Sequence, residues 1–258
     1  MNIIVLAKQV PNTTEMKVNK ETGTLIRDGI ETIINPDDLA GIEAALRIKE
    51  KNGAKVTVVT MGPNNAESML REAYGLGVDE TVLVTDKAFA GSDTLATSKI
   101  LAEAIKNLEY DLIIAGRQAI DGDTAQVGPQ IAELLSLPQV SYVEEITDIE
   151  EGFITVIKST ETHSFELNVR MPALITTLSE LNTARYMNVK DVWESYDKEV
   201  KKFNNNDLKL NKEEIGLKGS PTRVKKTFIK AITKKSEKQI LNAAKAADVI
   251  VEALNPHL

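Results

Sequence analysis

The 258-residue chain has an ordinary globular composition, with 42% hydrophobic and 27% charged residues, and carries a net charge of −7. This charge argues against a dedicated nucleic-acid-binding protein, and the absence of cysteine excludes disulfides and thiolate chemistry. With only His163 and His257 as histidines, neither a histidine triad nor a metal site is expected, so redox chemistry would require a cofactor. No apolar run approaches the roughly 20 residues of a membrane span and no signal-peptide pattern is present, which predicts a cytoplasmic protein without membrane contacts.

Apolar runs and helical periodicity alternate along the first half of the chain. Four segments have the apolar content of buried strands: residues 2–7, 55–61, 81–85 and 112–115. Helices are predicted over residues 37–51, 65–74 and 95–107, and a β-hairpin is predicted over residues 17–34. This order predicts an α/β fold with a parallel doubly wound sheet, in which ligands lie beyond the carboxyl ends of the strands.

The segment Leu112–Leu135 (LIIAGRQAIDGDTAQVGPQIAELL) has the pattern of a strand, a loop and a helix. The helix is predicted to begin near Thr124, with Asp123 as its N-cap. Amides at a helix N-terminus favour an anion such as phosphate, and Gly122 has no side chain to hold it away. The carboxylates of Asp121 and Asp123 oppose a diphosphate unless they cap backbone or bind ribose. An ordinary strand–turn–helix has the same pattern, so both interpretations stay open.

Two further helix starts have the same chemistry. Asn35 is placed to cap the helix that begins at Pro36, where the fixed φ of proline suits the first helical position. The segment Ala90–Thr94 opens another helix, in which Ser92 or Asp93 is either a simple cap or part of a second nucleotide-facing loop.

From Pro138 the pattern changes to short strands that either extend the sheet or form an antiparallel layer; they are predicted at residues 140–146, 153–157, 164–169 and 173–177. The segment Asn182–Tyr196 is rich in large apolar residues, which are either core or an exposed anchor for a partner.

The last part of the chain is basic, because residues 198–238 contain 13 Lys or Arg against 5 Asp or Glu. This composition predicts an arm lying on another surface, with a solvated linker as the alternative. A capping-box pattern at Ser236 predicts a final helix to about Leu254. We therefore expect a nucleotide-binding domain over residues 1–195, and an arm and helix over residues 196–258 that pack on a partner subunit.

An ordered set of motifs resembles the β subunit of electron transfer flavoprotein over nearly the whole chain: IIVLAKQVP, INPDDLAGIEAALRIKE, GLGVDE, GRQAIDGDTAQVG, MPALITT and LNTARY. The resemblance implies an adenine nucleotide α-hydrolase-like fold, a bound adenine nucleotide and a heterodimer with a flavin-carrying α subunit. The cofactor-binding residues that it implies are Leu6, Ala7, Asn35, Asp38, Met61, Ala119, Ile120, Asp121, Gly122, Asp123, Thr124, Ala125, Gln126, Val127 and Gly128.

The family has two branches, in which the β subunit holds either structural AMP or a second FAD. The second branch takes hydride from NADH and bifurcates the electrons. One electron goes to ferredoxin or flavodoxin, and the other passes through the α-subunit flavin to an acyl-CoA dehydrogenase, for example of butyryl-CoA type. The segment AGSDTLAT resembles the bifurcating branch, as do the small residues Gly122 and Thr124, so FAD and NADH are expected, with AMP as the alternative.

The resemblance also assigns two further groups of residues. Those expected to face the flavin or NADH are Gly91, Ser92, Asp93, Thr94 and Thr97. Those expected to bind the partner dehydrogenase are Ala184, Arg185, Tyr186, Met187 and Val189. From another class, an ATP-binding sensor or an adenosine-nucleotide hydrolase is a more remote alternative, since no P-loop lysine motif is present.

Overall fold

The computed structural model describes residues 1–12, 17–18, 25–26, 31–225 and 239–255. Its strands are β1 (Asn2–Leu6), β2 (Gln9–Pro11), β3 (Lys17–Val18), β4 (Leu25–Ile26), β5 (Thr32–Ile34), β6 (Lys55–Met61), β7 (Glu80–Val84), β8 (Leu112–Gly116), β9 (Gln139–Glu150), β10 (Phe153–Ser159), β11 (Ser164–Arg170), β12 (Ala173–Thr177) and β13 (Val200–Phe203). Its α-helices are α1 (Pro36–Asn52), α2 (Glu67–Leu76), α3 (Thr94–Ile105), α4 (Val127–Leu134), α5 (Val189–Ser195), α6 (Asn205–Leu208) and α7 (Ala243–Leu254). Within these described ranges, no helix has both the length and the apolar content needed to cross a membrane.

The main element is a nine-stranded sheet in the order β11-β10-β9-β12-β8-β1-β6-β7-β13. The strands from β9 to β13 in this order pair in parallel, which confirms the doubly wound α/β fold. Both faces are covered, since Ile3 and Val5 of β1 pack in one core and Ile4 and Leu6 pack in the other. Helices α1 and α2 contribute to the first core, and α3 and α4 to the second. Burial on both faces explains why these strands are apolar throughout.

The short strands after Pro138 extend the sheet. β12 inserts between β8 and β9 in parallel, and β10 and β11 continue outwards as antiparallel strands. Of the two alternatives open from the sequence, the structure selects the sheet extension.

The predicted hairpin near residues 17–34 is described only in part. β3 pairs with β4 in antiparallel orientation, and β2 pairs with β5. Residues 19–24 and 27–30 lie outside the described residues.

The expected domain boundary at residue 195 differs from the structure. The first compact unit is Met1–Lys225 and the second is Lys226–Leu258. The segment after residue 195 joins the first unit because β13 pairs in parallel with β7 and buries Val200 and Phe203. The composition of the sequence did not indicate this strand, because the region is rich in basic residues and only Val200 and Phe203 of β13 are apolar and buried.

In the second unit, the described residues 239–255 contain the amphipathic helix α7. Helix α7 begins at Ala243 with Asn242 as its N-cap, and the described residues 239–242 before it are not helical. The Asn242 side chain accepts a hydrogen bond from the Lys245 backbone N–H at 3.0 Å. Ser236 itself lies outside the described residues.

Candidate functional site

A cavity of about 370 Å³ lies beyond the carboxyl ends of β1, β6 and β8, beside the N-termini of α3 and α4. The predicted cofactor residues that line it are Leu6, Ala7, Asp38, Met61, Ala119, Gly122, Thr124, Ala125, Gln126, Val127 and Gly128. The predicted flavin- or NADH-facing residues that line it are Ser92, Asp93, Thr94 and Thr97. Two groups predicted from distant parts of the sequence therefore meet in one cavity, at the place where parallel sheets hold their ligands.

The loop before α4 departs from the prediction. The prediction that Asp123 caps a helix starting near Thr124 was wrong, because α4 begins at Val127 with Gln126 at the N-cap position. Asp123 and Ala125 have left-handed backbone conformations, with φ of 54° and 52°, which a right-handed helix cannot accommodate. The Asp123 carboxylate instead accepts a hydrogen bond from the Gln118 side chain. The loop is therefore longer than predicted, and the helix N-terminus lies at Val127.

The N-terminus of α4 offers backbone donors to the cavity. N–H groups in the first turn of a helix have no intrahelical acceptor, and Gln126 gives them no side-chain cap. Val127 and Gly128 supply two such donors, whereas Pro129 at the next position has none. The Thr94 hydroxyl donates to Gln126 Oε1 at 2.7 Å, which ties the start of α3 to the start of α4. Two helix dipoles thus direct partial positive charge toward the same space.

Gly128 is required for packing. A Cβ at this position would lie 2.8 Å from Thr176 Cγ2, so the glycine allows α4 to approach β12. A Cβ at Gly122 would meet no atom within 4 Å, so that side of the loop is open. Packing therefore requires a glycine at position 128, whereas at position 122 the glycine leaves open space beside the loop.

The acidic residues of the loop do not leave the cavity negatively charged. Lys8 Nζ lies 2.6 Å from Asp121 Oδ1, and Asp123 accepts from Gln118. Asp121 and Asp123 themselves do not line the cavity. Each of the two carboxylates has a hydrogen-bond donor of its own, so their repulsion of a diphosphate is weakened.

Three polar residues that line the cavity were not among the predicted cofactor-binding residues: Lys8, Arg117 and Gln118. Arg117 Nε lies 3.5 Å from Asp37 Oδ2, and this buried nitrogen has no hydrogen-bond partner among the described residues. Lys8 follows the end of β1 by two residues and Arg117 follows β8 directly. Their position after the carboxyl ends of strands was the sequence signal that could have identified them.

Asp38 and Asn35 hold the backbone around the cavity. The buried Asp38 carboxylate accepts from the backbone N–H of Lys8 at 2.8 Å and of Gly116 at 3.0 Å, which ties the end of β1 to the end of β8. Burial raises the pKa of the Asp38 carboxyl to about 7, although these hydrogen bonds favour the charged form. The prediction that the Asn35 side chain caps α1 was wrong. Its amide donates to Gln118 O at 2.8 Å and accepts from Ile120 N–H at 3.1 Å. Asn35 and Ile120 therefore support the loop and do not line the cavity.

The other helix start is held by the segment after β13. Asp93 caps α3 by accepting from Ala96 N–H at 3.1 Å, and it also accepts from the Thr222 hydroxyl at 2.7 Å. Gly91 does not line the cavity, since a Cβ there would lie 3.1 Å from Leu217 Cβ. Its φ of 76° explains why a glycine stands at this turn.

The predicted partner-binding residues divide into exposed and anchored ones. Tyr186 is 99% exposed and Val189 85%, and Trp193 and Tyr196, which the sequence left open as core or anchor, are 78% and 75% exposed. Val189, Trp193 and Tyr196 have helical spacings of four and three, so they share one face. We call Tyr186, Val189, Trp193 and Tyr196 the docking surface.

The remaining three predicted residues lie against the unit itself. Met187 packs on Gly75, where a Cβ would lie 3.0 Å from its sulfur. Ala184 is half-buried, and Arg185 is ion-paired with Glu43 at 2.8 Å. The sequence alone did not distinguish the residues that anchor this segment from those whose side chains are exposed.

A second cavity of about 490 Å³ lies between α1 and β9 and is lined mainly by charged and apolar side chains, including Arg47, Lys51 and Asp148. No helix N-terminus is among its lining residues. The smaller cavity at the strand ends therefore remains the candidate ligand site.

Fold and cavity together define a doubly wound α/β protein with a candidate ligand site beyond the carboxyl ends of its parallel strands. The sequence model of the electron transfer flavoprotein domain matches residues 22–208. The chain is 49% identical over 256 residues to the electron transfer flavoprotein subunit beta of Thermoanaerobacterium thermosaccharolyticum, covering 99% of this chain and 98% of that protein. Its identity to the subunit beta of Clostridium acetobutylicum is 48% over 254 residues, covering 98% of each chain.

A third relative is the caffeyl-CoA reductase-Etf complex subunit CarD of Acetobacterium woodii, which is 48% identical over 230 residues, covering 88% of this chain and 87% of that protein. The chain therefore belongs to the electron transfer flavoprotein family and is a β subunit of that family, whose role is electron transfer.

Proposed function

We propose that the cavity holds the adenosine diphosphate part of an FAD, and that the chain belongs to a heterodimer that oxidises NADH and bifurcates its electrons. The observation that carries this proposal is the convergence of the α3 and α4 N-termini on one cavity lined by the sequence-predicted residues. Phosphate oxygens would accept from the free backbone donors of Val127 and Gly128. Arg117, which lines the cavity and is paired with Asp37 at 3.5 Å without a hydrogen bond from its Nε, would offer its guanidinium as a further donor.

The size and chemistry of the cavity fit the nucleotide part of the cofactor. At about 370 Å³ it lies near the lower end of the roughly 300–1,000 Å³ range of ligand sites. A mononucleotide would fill it, and a flavin ring would extend from it. Thr94 and Thr97 line the α3 side, and the space beside Gly122 is open. The chemistry that FAD would supply there is to accept a hydride from NADH and to pass its two electrons on one at a time.

The partners follow from the same proposal. One relative is named as a subunit of a caffeyl-CoA reductase-Etf complex. By analogy, we assign to this chain an α subunit carrying its own FAD and an acyl-CoA dehydrogenase of butyryl-CoA type that contacts the docking surface. Ferredoxin or flavodoxin would take the low-potential electron, and the complex would work in the cytoplasm.

The experiment is to purify the heterodimer anaerobically, extract its nucleotides and quantify them by chromatography. Two FAD per heterodimer, with reduction of both flavins on titration with NADH, would support bifurcation. A heterodimer in which NADH reduces neither flavin would contradict it.

A second candidate is a non-bifurcating subunit with structural AMP. The favouring observation is the cavity volume, which suits a mononucleotide. The same extraction would then yield one FAD and one AMP, and acyl-CoA dehydrogenase would donate electrons in place of NADH.

A further inference from the structure

Glu43 is a buried acid that lies outside the nucleotide cavity. It is on α1 and is only 5% exposed, although glutamate is rarely buried unless it is paired. Its Oε1 accepts from Arg47 Nε at 2.8 Å. Its Oε2 accepts from Arg185 twice, from Nε at 2.8 Å and from the backbone N–H at 3.2 Å. Burial raises the pKa of Glu43, but the hydrogen bonds from both arginines prevail and hold it below its usual range.

The Arg185 contacts fix one end of the segment 182–188, which leads into α5. Asn182 Nδ2 donates to Ala40 O at 3.0 Å, so this end is attached to α1 twice. The other end is attached to α2, where Asn188 N–H donates to Gly75 O at 3.1 Å and Met187 packs on Gly75. Both attachments are short and well defined, so the residue between them has little freedom of its backbone.

Tyr186 is that residue. Its neighbours Arg185 and Met187 are anchored to α1 and α2, while its own side chain is 99% exposed. Exposing a large aromatic ring to water is unfavourable for the isolated chain. The position of Tyr186 is therefore set by its anchored neighbours, Arg185 and Met187. A ring presented in this way is typical of a contact that a partner will cover.

We propose that Glu43 is a positioning residue for partner docking, which acts through Arg185 to hold Tyr186 in the orientation that the dehydrogenase binds. This inference rests on the proposed docking function of the segment. A preorganised contact loses less conformational entropy on binding, so removing the anchor weakens association and leaves the chemistry unchanged. Because Glu43 does not line the cavity, its effect is separable from nucleotide binding.

Glu50 provides a matched control on the same helix. It is also paired with Arg185, through Nη1, but its side chain is 60% exposed. Exposed ion pairs contribute little, since solvent screens them and the side chains lose entropy. If the buried contact positions the segment, the variants Glu43→Gln and Glu50→Gln must differ, although each removes one carboxylate facing the same arginine.

The experiment uses the αβ heterodimer and a butyryl-CoA type acyl-CoA dehydrogenase, and measures KM, kcat and Kd for the pair. Glu43→Gln should raise KM and Kd roughly three- to tenfold with kcat unchanged, the range set by ordering one or two side chains. Glu50→Gln should change KM by less than about twofold. Arg185→Gln should behave as Glu43→Gln does, and the double variant should be no worse than either single variant because they act through one contact.

Each alternative outcome is distinguishable. If Tyr186→Ala raises KM and Glu43→Gln does not, the positioning inference is overturned and docking at this segment stands. If Tyr186→Ala itself leaves KM unchanged, the docking function fails and the inference with it. If Glu43→Gln lowers kcat or the extracted nucleotide content as well, its role is general stability, which also overturns the inference. Arg185→Gln decides the question if Glu43→Gln fails to fold.

Discussion

The proposed nucleotide cavity and the proposed docking surface are built in opposite ways. Polar groups around the cavity are tied to one another, as in the pairs Thr94–Gln126 and Lys8–Asp121. The docking surface instead presents large apolar side chains that the described residues leave exposed. A concave, internally bonded site is ready for one small ligand, whereas a convex apolar surface is completed by a macromolecule. Helix α1 contributes to both, with Asp38 at the cavity and Glu43 at the docking segment.

The largest expected effect is on the cavity. Thr124→Arg should lower nucleotide retention at least about tenfold, because a bulky side chain enters the space proposed for phosphate. The measurement is nucleotide extracted per heterodimer after gel filtration. Thr162→Arg, at another exposed threonine, is the control and should retain wild-type content. Unchanged content in Thr124→Arg would show that the phosphate does not lie against this loop.

The second effect is the pH dependence contributed by Asp38. Its folded-state pKa of about 7 exceeds the model-compound value of 3.8, so the unfolded chain loses the proton first and stability falls between about pH 4 and pH 7. Asp38→Asn removes this titration. The free energy of unfolding of the variant, relative to wild type, should therefore rise across that window by a few kcal/mol, even if the variant is less stable overall.

Urea unfolding at several pH values measures this difference. Asp86→Asn is a control of opposite sign, because hydrogen bonds from Ala88 and Asn205 lower the pKa of Asp86. Its relative stability should decline slightly as pH rises through the acidic range. A difference for Asp38→Asn that does not vary with pH would show that Asp38 remains ionised.

The third effect is on packing at the cavity. Gly128→Ala should lower the free energy of unfolding by about 1–3 kcal/mol, because the new Cβ would lie 2.8 Å from Thr176 Cγ2. Gly122→Ala is the matched control, and should leave stability unchanged or raise it by up to about 1 kcal/mol. Equal stabilities for the two variants would mean that α4 moves away from the sheet without cost.

The smallest effect is on the docking surface. Val189→Ala should slow electron delivery to the dehydrogenase about fivefold at low concentration, the loss of roughly 1 kcal/mol of contact. Nucleotide content should not change, since Val189 does not line the cavity. Val224→Ala is the control, because this valine is similarly exposed at 84%. Equal rates for the two variants would remove Val189 from the partner surface.

Local chemistry in the sequence was sufficient for the sheet, whereas most of the cavity lining was implied by the family resemblance. The apolar segments 2–7, 55–61, 81–85 and 112–115 correspond to β1, β6, β7 and β8, since a strand covered on both faces must be apolar throughout. Asp93 was recognised as a candidate cap because a carboxylate just before a helix can accept from the free N–H groups of its first turn. The rule that ligands lie beyond the carboxyl ends of parallel strands then indicated the edge of the sheet at which the cavity is found.

Features that depend on contacts between distant residues needed the tertiary structure. Whether Asn35 caps its own helix or supports the loop at Ile120 depends on which backbone lies nearby. Arg185 and Tyr186 are adjacent in sequence, yet only the position of Glu43 on α1 makes one an anchor and the other exposed. Sequence determined which elements form, because hydrophobic periodicity is local. The fold decided which polar groups are partnered and which surfaces stay open, because those depend on residues far apart in the chain.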